Sequence, residues 1–110
     1  MIFSYHDIEI RSLCEKGEYA VEKLGVRIAT IFQDRLADLQ ALEYVSDIFM
    51  GNPQPYGDDN LKYKVDVFEN YKIIFCCGHI EIPKNSIGQI DWSNVSRIQI
   101  IKLETNDYDN

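Results

Sequence analysis

Apolar residues recur at helical spacing from the start of the chain. Ile10, Leu13 and Cys14 lie three and four apart, and Gly17 is expected to end that first helix. Ser4 followed three residues later by Asp7 is a helix-start signal, and residues 1–3 before it suit a short opening strand. A longer helix is predicted from Tyr19 to Leu42, with Val21, Leu24, Ile28, Ile31, Phe32, Leu39 and Leu42 on its apolar side. Glu18, Glu22, Asp34 and Asp38 occupy the opposite side. So short a connection predicts an antiparallel helical hairpin. Residues 43–50, EYVSDIFM, add a further turn or two before Gly51.

Residues 51–60, GNPQPYGDDN, combine two prolines and two glycines with polar side chains and read as a loop. Beyond them the period changes to two. In LKYKVDV one face carries Leu61, Tyr63, Val65 and Val67, and the other Lys62, Lys64 and Asp66. A three-residue loop, Phe68-Glu69-Asn70, keeps the faces consistent with the following NYKIIFCC. That register pairs Val67 with Tyr71, Val65 with Ile73 and Tyr63 with Phe75 on the buried face. On the other face Asp66 meets Lys72, and Lys64 meets Ile74. Residues 78–95 connect loosely around Pro83 and Gly88, with Asp91-Trp92-Ser93 capping a short turn. SRIQIIKLE, residues 96–104, is a last strand that buries Ile98, Ile100 and either Leu103 or Ile101. Helices followed by strands imply an α+β fold: an N-terminal helical hairpin packed on a small antiparallel sheet of three to four strands.

Length fits a single domain over residues 1–110. A chain of this size buries about 60–70% of its unfolded surface and needs neither metal nor disulfide to fold. No apolar run approaches the ~18–20 residues of a membrane span. No basic segment leads into an apolar one as in a signal peptide. Three cysteines, two of them adjacent, make no disulfide framework and fit reduced thiols in a cytoplasmic protein.

The formal net charge of -7 is unevenly spread. Residues 1–59 balance to -6, residues 60–104 to +1, and the last six to -2. Phosphate affinity comes from cations that displace counterions, so a polyanion site is conceivable only on the sheet. There the hairpin holds Lys62, Lys64 and Lys72, three of the eleven basic residues. Lys64 and Lys72 read either as phosphate contacts or as a charged, solubilising sheet face with an ordinary Asp66–Lys72 pair. Cys77, His79 and Glu81 would share one side of an extended strand, but Gly78 interrupts them and no fourth zinc ligand is placed. The Cys76-Cys77 pair reads as strand-end packing, His6 as part of a solvated helix start, and Trp92 as an anchor of a small satellite core.

The element order, FQDRLADLQAL closing the helical part, the Gly-Pro-rich loop, YKVDVFENYKIIF and DWSNVSRIQIIKLE together resemble the RelE/ParE superfamily of bacterial toxins. The resemblance covers nearly the whole chain and is nearest to the HigB-like "killer protein" branch associated with plasmid maintenance. NYKIIF after a short turn is its most specific piece, where the family shows an aromatic-Arg-aliphatic-aliphatic-aromatic pattern. What this implies is the toxin of a type II toxin–antitoxin system, with a cognate antitoxin as partner. For ribonuclease members it further implies the ribosome and messenger RNA, and cleavage without metal or cofactor. Such cleavage requires an activated 2′-OH, a stabilised phosphate and a protonated leaving oxygen. By resemblance, Lys64 matches a family lysine on the first hairpin strand, Lys72 falls where arginine is usual, and Tyr108 falls near the tail aromatic. The chain departs from the pattern in three ways. Asp66 stands where a second basic residue is common, Lys72 lacks arginine's bidentate fork, and the NDYDN tail carries no histidine. Those departures keep a second expectation open, a non-catalytic protein-binding module on the same fold, directed at gyrase or left as an inactivated toxin.

Overall fold

A computed structural model describes residues 1–68 and 70–105. In chain order the elements are β1 (Ile2–Tyr5), α1 (Ile8–Glu15), α2 (Gly17–Leu24) and α3 (Val26–Ala41). After a 3₁₀ turn at Val45–Asp47 come β2 (Gln54–Tyr56), β3 (Lys62–Phe68) and β4 (Tyr71–Cys77). A second 3₁₀ turn at Trp92–Asn94 leads into β5 (Arg97–Thr105). The architecture is α+β, and no helix among the described residues is long and apolar enough to cross a membrane.

The helical layer corrects the expected hairpin. Asp7, not Ser4, caps α1: its Oδ1 accepts the backbone N–H of Ile10 at 2.9 Å. Gly17 opens α2 instead of closing α1. The long helix expected over Tyr19–Leu42 is broken at Gly25, whose φ of 83° lies where a β-carbon is penalised. Its N–H closes α2 on Val21 O, and its carbonyl accepts the Ala29 N–H that opens α3. At the far end of α3 the Met1 ammonium donates to the carbonyls of Leu39, Gln40 and Leu42. It satisfies acceptors that a helix C-terminus leaves free and complements its negative dipole end.

The sheet is also larger than expected: five strands in the order β1-β5-β4-β3-β2. It is mixed, since β1 runs parallel to β5 while the other pairs are antiparallel. A parallel pair needs a long crossover, and here most of the chain lies between its two members. β2 forms inside the proline-rich loop. Pro55 lacks an N–H and is tolerated because β2 is an edge strand.

The core lies between the helices and the inner sheet face. Phe32, Leu36 and Leu39 of α3 join Val65, Ile73, Phe75, Ile98 and Ile100 in one buried cluster. Trp92 caps it by meeting Tyr63 at a tilt of 50° (ring centroids 4.9 Å apart) and Phe75 edge-on. Leu103, opposite Ile73, packs on this core, because β5 carries a bulge that leaves Ile101 without a Cα partner.

Candidate functional site: the outer face of the sheet

The hairpin register carries the site. Tyr63 faces Phe75, Lys64 faces Ile74, Val65 faces Ile73 and Asp66 faces Lys72, as the alternation predicts. At the turn, Phe68 takes the place opposite Tyr71 that was expected of Val67, through a register shift after Asp66. With Val65, Ile73, Phe75 and Leu103 inward, Lys64, Asp66, Lys72, Ile74, Lys102 and Glu104 face outward. One row across the sheet reads Gln54, Lys64, Ile74, Lys102, and the next reads Asp66, Lys72, Glu104.

Lys64 and Lys72 are therefore brought onto one face, but not as two free cations. Lys64 is only 8% exposed, the one buried charged residue among those described. Its ammonium lies 2.9 Å from Asp66 Oδ1, so Asp66 pairs along its own strand with Lys64 despite facing Lys72 in register. Ile74, expected to be exposed, is completely buried between register neighbours Lys64 and Lys102. Tyr108 lies outside the described residues.

Sequence reasoning missed three participants, Glu104, Tyr56 and Lys102. Glu104 on β5 accepts a hydrogen bond from the Tyr56 hydroxyl at 2.5 Å, which links β2 to β5 across the two strands between them. Its other oxygen is 3.0 Å from Lys102 Nζ. The Tyr56 bond, followed by the Lys102 contact and the charges of Lys102 and Lys72, holds the Glu104 carboxyl below the usual carboxylate value. Tyr56 was hidden because a three-residue strand beside a proline has no readable period.

The Glu104 contacts predict an acid response. A carboxyl held below its unfolded value contributes stability that is complete above about pH 4.5 and disappears as pH falls through the folded value. Tyr56→Phe should cost about 1 kcal/mol at neutral pH and less in acid. Urea unfolding across that range tests it, and parallel pH curves for the two proteins would contradict the assignment.

The cysteines and His79 are occupied structurally. Burial pushes the Cys14 thiol up to about 12. Burial foremost also raises Cys76, whose thiol donates to Gln99 Oε1 at 3.6 Å. Neither favours the reactive thiolate. His79 Nε2 accepts the backbone N–H groups of Ser96 (2.9 Å) and Arg97 (3.2 Å), which ties the 78–95 connection to β5. Among the described residues no three potential metal ligands come together.

No family model matches the sequence, and no curated protein matches it. Among solved structures the chain is similar to a YoeB/ParE toxin from Agrobacterium tumefaciens, with a TM-score of 0.53 over 96% of this chain and 98% of that one. The two are 11% identical, a likeness of fold alone.

Proposed function

We propose that this chain is the toxin-like member of a cytoplasmic bacterial toxin–antitoxin pair, and that it acts by binding a protein target. The toxin fold supports the first part. The second rests on one observation: Lys64, the lysine best matched to a phosphate role, is buried and paired with Asp66 at 2.9 Å. A phosphodiester would have to displace that carboxylate and contend with Glu104 beside Lys72 and Lys102. Apolar side chains suited to a protein contact are exposed elsewhere, at Phe49, Ile80 and Ile87. The partner in either case is a cognate antitoxin.

A second reading keeps the HigB-like ribosome-dependent endoribonuclease, with Lys64 and Lys72 neutralising phosphate and Tyr108 assisting proton transfer. The gathering of Lys64, Lys72 and Lys102 on one face favours it. Controlled induction in a bacterium separates the two. Growth arrest with intact messenger RNA, retained by Lys72→Ala and lost in Ile80→Ser/Ile87→Ser, is the expected result. Translation-dependent cleavage that Lys72→Ala abolishes would establish the ribonuclease instead. Soluble, folded protein with no arrest would remove the toxin reading.

A further inference from the structure

Outside the sheet, an open groove of about 630 Å³ runs between α2 and α3. Its walls are Gly17 and Val21 of α2 and Ala29, Thr30 and Gln33 of α3, and its charged rim residues are Glu18 and Asp34. The groove exists because α2 packs through Ala20, which is fully buried, and leaves Val21 40% exposed although its spacing reads as core. Gln33 is held in the wall, its amide donating to the carbonyls of Leu13 and Cys14 at 3.4 and 3.3 Å. Gly17 contributes empty space: a β-carbon there would meet no atom within 4 Å. A second depression shares Gly17 and Glu18 and adds Lys16, Tyr19 and Glu22. The acid of the N-terminal half thus borders an apolar trough.

We propose that this groove is the docking site for a short amphipathic helix of a partner protein, with apolar anchors flanked by lysine or arginine. Charge complementarity selects that occupant, because Glu18, Glu22 and Asp34 still outnumber the cations around the two depressions, Lys16 and Lys23, whose ammonium lies 5.5 Å from the Tyr19 ring. Length agrees with it. The eight residues of α2 span about 12 Å, so the groove takes two helical turns with anchors at i and i+4. Identifying the partner as the antitoxin rests on the toxin-like reading; the groove's preference does not.

The probe is a fluorescent helical peptide of about four turns, with leucines at i, i+4 and i+7 flanked by lysines. Its control carries glutamate for each lysine, and anisotropy with the full chain at low salt is the readout. The lysine peptide should bind at least about tenfold more tightly than the control. Gly17→Leu, which fills the groove without touching the core, should weaken it by a similar factor. Glu18→Lys/Asp34→Lys should reverse the preference between peptides. Equal binding of the two peptides would overturn the proposal, as would a folded Gly17→Leu protein of unchanged affinity. Sedimentation that shows a dimer dispersed by Gly17→Leu would make the occupant a second copy of the chain and overturn it too. Binding is read without toxicity, so a failure here leaves growth arrest standing, and the converse also holds.

Discussion

Gly51→Ala should lower the stability of the fold by about 2–5 kcal/mol, a fall in Tm of roughly 10–20 °C. Two costs combine at this position. Gly51 has φ of 75°, which a β-carbon disfavours. That β-carbon would also stand 2.5 Å from Val65 Cγ1 and 2.6 Å from the carbonyl oxygen of Asp66. The contact is close because β2 pairs only with Lys62–Lys64, and beyond that the Gly51 carbonyl accepts the Asp66 N–H at 2.6 Å. Forcing the two backbones apart disturbs the strand that carries both Lys64 and its counter-ion. Two other glycines calibrate the effect. Gly25→Ala meets open space and incurs only the backbone penalty of its φ of 83° and ψ of 160°, about 1–3 kcal/mol. Gly17→Ala meets neither and should be neutral or stabilising by up to about 1 kcal/mol. Thermal unfolding of the three proteins should rank them in that order. A Gly51→Ala protein no less stable than Gly25→Ala would mean that the approach to β3 is not tight.

The hairpin register was legible because alternation is a local signal, and because a one-residue slip would turn Lys72 into the core. The parallel pairing of β1 with β5 was not. It joins Ile2–Tyr5 to Arg97–Ile100 across nearly the whole chain, and nothing near either segment reports on the other. Gly25 sits in an otherwise helical pattern, and period alone does not tell a tolerated glycine from a break. The sequence narrowed the third apolar position of β5 to Ile101 or Leu103, and a bulge, a property of the pairing, decided for Leu103. The candidate site divides the same way. Which lysines share a face follows from the alternation. Whether they are exposed depends on the remote side chains that cover them, and a lysine in a polar half-period reads as solvated by default. Asp66, recognised in the sequence as a departure at a usually basic position, proves to be the residue that occupies Lys64.

That pairing gives the second large prediction, a set of substitutions that separates the fold's use of Lys64 from any use in binding phosphate. Asp66→Ala leaves an ammonium buried without its counter-ion. For a fully buried pair this costs about 3–5 kcal/mol, and with the Asp66 side chain 39% exposed the expected loss is about 1–3 kcal/mol. Lys64→Met keeps the aliphatic stem and removes the charge, so it should change stability by less than about 1 kcal/mol in either direction. Lys64→Met/Asp66→Ala should recover most of the Asp66→Ala loss, since it leaves no stranded charge; a double variant as unstable as Asp66→Ala would show that the carboxylate serves something other than Lys64. Lys64→Met is then the informative protein in the induction experiment. It removes the β3 cation that the resemblance matches to a phosphate role while preserving the sheet around it. Arrest retained in Lys64→Met fits a surface that acts through protein contacts, because a buried, already neutralised ammonium has no charge to offer a target. Arrest lost in a variant of unchanged stability would mean that Asp66 releases Lys64 in the working complex, and that the pair seen here is the resting arrangement of a phosphate site.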